Sequence, residues 1–226
     1  MTLVLGLDSA TEACSAAVLR NGAVVARRFE TLQRGHAEQL MPLVREVMTV
    51  ACISFAELDL IATTIGPGGF TGLRIGLASA RGLAIAAKRP LVGVTTLEAV
   101  ARAQPPQEYP LLVTLDTKRA DFYLQLFDAD GEPLSEPAAL IPSEIASMVP
   151  DGPVVVAGNA RDGAIAAMTD PVRVQVMSTG PALPDAAQVA AIGLERFMVL
   201  PDAPRTPPSA LYLRPPDARL PGAPSP

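Results

Sequence analysis

The scarcity of histidine narrows the chemistry first. His36 is the only one in 226 residues. A Ser-His-Asp or Cys-His hydrolase would have to be built on it, and no GxSxG-type nucleophile turn stands nearby. There are two cysteines, Cys14 and Cys52, and they lack metal-ligand spacing. Both lie in apolar segments and read as core thiols of a cytoplasmic protein. Positive charge is also short: 18 Lys and Arg stand against 23 Asp and Glu, a net charge of −5. No overall basic field is available for nucleic acid, so any role with RNA has to be indirect or use a partner's surface. No apolar run is long enough to span a bilayer, because Arg81 interrupts the best one. The start, Met1 to Asp8, carries no basic n-region, which again points to the cytoplasm and away from membranes.

The composition, 49% hydrophobic and 18% charged, is that of a globular protein with room for one large or two small domains. Its most informative stretch is DLIATTIGPGGFTGLRIGLASARGLAIAAK, residues 59–88. Asp59 to Ile65 reads as a buried strand ending at Gly66-Pro67-Gly68, and Thr71 as the N-cap of a helix over 72–88. Gly72, Gly76, Ala80 and Ala84 recur every four residues, a ridge with almost no side chain that a neighbouring backbone can approach closely. Arg74, Arg81 and Lys88 form a separate polar stripe. Three readings stay open: a phosphate cradle at a helix N-terminus, a helix-docking surface, or an ordinary strand-turn-helix. The Lys-Ser/Thr ending of a P-loop and the GxGxxG spacing are both missing.

The rest of the chain predicts a duplicated α/β body. Strands at 3–7, 14–20 and 23–29 surround the hairpin signal Asn21-Gly22. A helix at 36–51 follows, apolar on two sides, with Pro42 inside it. After a strand at 91–94, Thr96 caps a helix to about 102, and Gln104 to Gln107 breaks the pattern. The second half repeats the first. LDTKRADFYLQLF from Leu115 aligns with LDSATEACSAAVL from Leu7, and Asp130-Gly131 stands where Asn21-Gly22 stood. Next come a short helix capped by Ser143, a strand at 154–157, a helix near 162–169, a strand at 173–177 and a helix at 184–200. The expected division is a first lobe over 1–104, a second over 108–200 and a proline-rich tail over 201–226, of which only Ala210 to Arg214 looks able to dock.

GPGGFTGLRIG after a buried strand resembles the GPGSFTGLRIG signature of the TsaB (YeaZ) family. Gly69 stands where that family usually has serine. LGLDSATEACSAAV, HAEQLMPLV and LYLRPPDA also match, so the resemblance covers nearly the whole chain. It implies the actin/Hsp70/sugar-kinase-like (ASKHA) superfold, in which two hairpins face a nucleotide cleft. It further implies a non-catalytic subunit that pairs with TsaD and with the ATPase TsaE to form threonylcarbamoyladenosine (t6A) in tRNA. A homodimer through the same helices is implied when TsaD is absent, with tRNA met only through the complex. The implied partner-binding residues are His36, Leu40, Leu43, Val47, Thr71, Gly72, Arg74, Gly76, Ala80 and Arg81.

In that superfold, glycines of the hairpin turns bring N–H groups to ATP phosphates. Here neither turn, 8–13 or 116–121, contains a glycine. Asp8, Ser9, Thr11 and Asp116 therefore mark at most a degenerate cleft. Asp8 and Asp116 either hold Mg²⁺ across it or accept hydrogen bonds from their own turns. TsaD-like relatives bind metal through His-x-x-x-His, but Leu40 follows His36 at that spacing, so no metal site and no catalytic residue is assigned. ATP and Mg²⁺ would belong at the junction of the complex. The competing reading is a self-sufficient ATP-dependent enzyme of the sugar-kinase type, or a peptidase.

Overall fold

The computed structural model describes residues 1–168, 174–199 and 206–214, with backbone only for 174–177. It contains two five-stranded sheets of one topology. The first, β1 (Leu3–Asp8), β2 (Ala13–Arg20), β3 (Ala23–Thr31), β4 (Leu60–Gly66) and β5 (Leu91–Thr95), has the order β3-β2-β1-β4-β5. The second, β6 (Leu111–Asp116), β7 (Phe122–Phe127), β8 (Ala138–Leu140), β9 (Val154–Ala157) and β10 (Val174–Met177), has the order β8-β7-β6-β9-β10. In each, the opening strand pairs antiparallel with its hairpin partner and parallel with a later strand. Asp8 and Asp116 thus end equivalent strands, as the internal repeat predicts.

The two hairpins diverge beyond that point. Asn21 (φ 51°) and Gly22 (φ 82°) are both left-handed, the conformation a type I′ turn requires. In the second lobe Asp130-Gly131 does not reproduce this turn. Pro133 makes only an isolated bridge to Phe127, and the chain rejoins the sheet later as the three-residue β8, which the sequence reading lacked. Proline cannot donate to a ladder, so pairing resumes beyond Pro137.

Among the described residues, six α-helices cover the sheets: α1 (His36–Val50), α2 (Phe70–Ala87), α3 (Thr96–Arg102), α4 (Ile145–Met148), α5 (Arg161–Ala167) and α6 (Ala186–Val199). α1 and α2 share one face of the first sheet, burying Leu40, Val44, Val47 and Ala80 against Leu5, Leu7, Val18 and Ile61. α6 belongs to the first lobe, not the second as expected. Its Ala186, Ala187 and Ala190 pack on Val4, Ala17, Leu19 and Leu60 on the opposite face of that sheet. α3 turns Leu97 and Val100 towards Leu111, Val113, Leu115 and Phe127, in the core of the second sheet. The lobes therefore exchange helices, and the Gln104 break is a crossing point rather than a clean boundary.

Two caps lie elsewhere than expected. α2 begins at Phe70, with Gly69 as its N-cap and Thr71 inside the first turn. α3 is capped by Thr95: its Oγ1 accepts from the Glu98 N–H at 3.1 Å while Glu98 Oε2 accepts from the Thr95 N–H at 2.9 Å, a capping box. Ser143 sits inside a 3₁₀ turn, Pro142–Glu144, that precedes α4. The expected limits at 169, 173 and 200, and most of the proline-rich tail, lie outside the described residues.

Candidate functional site

The glycines of the signature stretch meet the first hairpin turn. The Ser9 hydroxyl donates to Gly72 O at 2.9 Å, and the Gly69 N–H donates to Ala10 O at 2.7 Å. A Cβ at Gly68 would stand 2.2 Å from Ala10 O, one at Gly72 2.2 Å from Ser9 O, and one at Gly76 2.8 Å from Ser9 Oγ. Further along the ridge, Ala80 and Ala84 are buried in the first core. The glycines of the ridge therefore receive the chain's own hairpin turn. Of the expected partner-binding residues, Leu40, Leu43, Val47, Gly76 and Ala80 are buried within the chain, and Gly72 is partly buried against Ser9. Internal and intermolecular helix packing use the same small and apolar residues, so spacing could not separate them.

Beside this junction lies a cleft of about 1060 Å³ between the lobes. Its walls are the two hairpin turns, the loop before α1 and the start of α2. Of the four cleft residues expected, Thr11 and Asp116 line it. Asp8 and Ser9 do not, being fully buried. The turns are occupied with internal bonds. Asp116 Oδ1 accepts from the Lys118 N–H at 2.7 Å and Oδ2 from Lys118 Nζ at 2.9 Å. Burial pushes the Asp116 carboxyl up, but the Lys118 hydrogen bonds and charge outweigh it and leave it below its ordinary range. His36 Nε2 lies 2.9 Å from Thr11 O, tying the first turn of α1 to the hairpin. Asn159 is a contributor the sequence reading missed. Its Oδ1 accepts from the Asp116 N–H at 2.9 Å and its Nδ2 donates to Glu12 Oε1 at 2.9 Å, joining the two turns across the cleft. Its only signal was Gly158-Asn159 directly after a strand.

Asp8 is the most perturbed group in the site. Its Oδ1 accepts from Thr64 Oγ1 at 2.7 Å and from the Ala10 N–H at 3.2 Å, while Oδ2 has no partner. Burial pushes this carboxyl up to about 7, with nearby Asp185 adding to the rise and the hydrogen bonds opposing it. Asp185 itself pairs with Arg27. Cys14, buried near Asp8 and Glu30, is pushed up to about 12, chiefly by burial. Cys52 is exposed, contrary to the expected pair of core thiols. It follows the end of α1 in a left-handed conformation (φ 52°) that turns it outward.

There are two further surface features. On α2, Phe70, Thr71, Arg74, Ala78, Arg81, Gly82, Ile85 and Ala86 face out, and Ile85 is 79% exposed. On α1, Val50 is half exposed. Thus Thr71, Arg74 and Arg81 of the expected partner-binding set lie on the surface, with His36 half-buried. The second surface is the described part of the tail, which docks as expected around Ala210 to Arg214. Ala210 packs with Ala10, Leu73 and Leu77, and the Leu211 N–H donates to Ile65 O at 2.7 Å. Arg74 Nε donates to Tyr212 Oη at 3.1 Å, and an Arg81 NH2 donates to Pro208 O at 2.6 Å.

Duplicated sheets, paired hairpins and a cleft between them define a protein of the actin/Hsp70/sugar-kinase-like class. Component A of the (R)-2-hydroxyglutaryl-CoA dehydratase of Acidaminococcus fermentans shares this fold at a TM-score of 0.52 and 11% identity, over 87% of this chain and 99% of that one. A family model described as "TsaD: tRNA N6-adenosine threonylcarbamoyltransferase" matches residues 25–194. The tRNA threonylcarbamoyladenosine biosynthesis protein TsaB of Escherichia coli (strain K12) is 35% identical over 129 residues, 56% of this chain and 55% of that protein. A crystal structure from Pseudomonas aeruginosa, of an uncharacterized protein with similarity to peptidase YEAZ, superposes at a TM-score of 0.80 with 28% identity, over 95% of this chain and 100% of that one. The chain belongs to the TsaB/YeaZ family, within the reach of the TsaD family model. Its match spans about half the length of the curated TsaB relatives. No helix among the described residues is long and apolar enough to cross a membrane.

Proposed function

We propose that this chain is a non-catalytic subunit in the formation of the threonylcarbamoyl group on the tRNA adenosine next to the anticodon. It pairs with a TsaD-type relative through the outer faces of α1 and α2, and that relative supplies the reactive groups. The observation that carries this reading is the seating of Ser9 and Ala10 in the glycine turn. The first hairpin is closed by the chain's own α2 instead of presenting N–H groups to phosphate. The tethering of Asp116 to Lys118 and the burial of Asp8 support the same reading. TsaE joins as a further partner, ATP and Mg²⁺ sit at the junction, tRNA is met through the complex, and the chain pairs with itself when TsaD is absent.

The outer face of α2 suits this role because small and apolar residues stand beside Arg74 and Arg81 on it. Ala78, Gly82, Ile85 and Ala86 let a second helix approach closely, the property first sought in the buried ridge. Reconstitution tests the proposal. Threonylcarbamoyl transfer to tRNA by cognate TsaD and TsaE is expected to require this chain and to survive Asp116→Asn within it. Hydrolysis of ATP or of a protein by the chain alone, abolished by Asp116→Asn, would overturn it.

A further inference from the structure

The described tail crosses between the lobes. Pro208 accepts from Arg81, and a Cβ at Gly93 would come within 2.8 Å of Pro208 Cβ, so Pro208 lies against α2 and β5. The Leu211 N–H donates to Ile65 O at the end of β4, and Ala210 fills a small apolar pocket with Leu73, Leu77 and Ala10. Tyr212 stacks at 5.8 Å on Phe70, whose ring also carries the Arg74 guanidinium at 3.7 Å. Arg214 then reaches the second lobe, where it pairs with Asp121 and lies 5.4 Å from the Tyr123 ring. Both Arg214 and Asp121 are largely shielded from solvent, at 21% and 16% side-chain exposure. Asp121 is also the residue that accepts from the Thr117 hydroxyl to shape the β6–β7 turn, one wall of the cleft.

We propose that residues 206–214 form a clasp that ties α2 and β4 of the first lobe to the β6–β7 turn of the second and so fixes the width of the cleft mouth. Among the described residues, the segment meets the first lobe through Pro208, Ala210, Leu211 and Tyr212, and the second through Arg214. Loss of that one side chain therefore loosens the Asp121 end of the turn, while Asn159 still holds Asp116 and the clasp stays seated. A shielded ion pair is a stronger local tie than an exposed one, so its removal should raise local opening.

Hydrogen exchange on the full chain tests this with Arg214→Ala and, separately, Leu211→Pro, which removes the donor to Ile65 O. The expected result is exchange accelerated about tenfold or more in 116–121 with Arg214→Ala. Leu211→Pro should speed exchange in the same turn as well as around 208–214, with β1 and β4 protected as in the wild type. Unchanged exchange in 116–121 in both variants would overturn the proposal. Acceleration spread through β1 and β4 would overturn it equally, since the segment would then be part of the core and not a tie between lobes.

Discussion

At Gly72 an added methyl group has two opposed effects. Alanine is the better helix former by about 1 kcal/mol. Yet its Cβ would stand 2.2 Å from the Ser9 carbonyl oxygen, a backbone atom that cannot swing aside. Overpacking of this kind costs about 1–3 kcal/mol, so after the helix gain Gly72→Ala should still destabilise the fold by roughly 1 kcal/mol, read from urea unfolding. Asp8 supplies a pH test. Its carboxyl is raised from an ordinary 3.8 to about 7 in the fold, so between those values the folded chain holds a proton that the unfolded chain has lost. Stability from this group is full below about 4, falls as pH rises through the window by up to about 1.4 kcal/mol per unit, and is lost above about 7. Asp8→Asn should flatten that slope while keeping an acceptor for Thr64 and Ala10, which unfolding curves at pH 5, 6, 7 and 8 would reveal. The two thiols should also separate. A thiol reagent should label exposed Cys52 in the native protein and reach Cys14 only after unfolding, as peptide mapping would show.

Among the elements, α2 shows how far the sequence could be read. The four-residue recurrence of Gly72, Gly76, Ala80 and Ala84 correctly marked a face built for close approach. Which backbone approaches it depends on where the β1–β2 turn lies in space, and a local pattern does not carry that. The outward stripe of Ala78, Gly82 and Ile85 escaped notice because the same helix has small residues on both sides. A Cβ at Gly82 meets nothing within 4 Å, so the two faces respond oppositely to bulk. Gly82→Leu should leave the fold intact, and more stable by up to about 1 kcal/mol from helix propensity, while blocking partner docking. Gly76→Leu should unfold the protein. Thermal melts alongside pull-down with cognate TsaD would distinguish the two.

For the whole molecule, the duplication was legible because Leu7-Asp8 and Leu115-Asp116 end equivalent strands, each followed by a turn and an antiparallel partner. The return of α6 to the first sheet was not. Its alanine-rich face would suit either sheet, and its position late in the chain suggested the nearer one. The cleft itself could be anticipated from the paired hairpins, but the bond across it between Asn159 and Glu12 could not, since these lie 147 positions apart. The central claim is that the chain contributes a docking surface instead of reactive groups. It is tested most directly by the mass of the species formed on mixing the chain with cognate TsaD, for wild type and Gly82→Leu. The expected result is a heterodimer with wild type and separate components with Gly82→Leu. A heterodimer of undiminished abundance with the Gly82→Leu chain would contradict it.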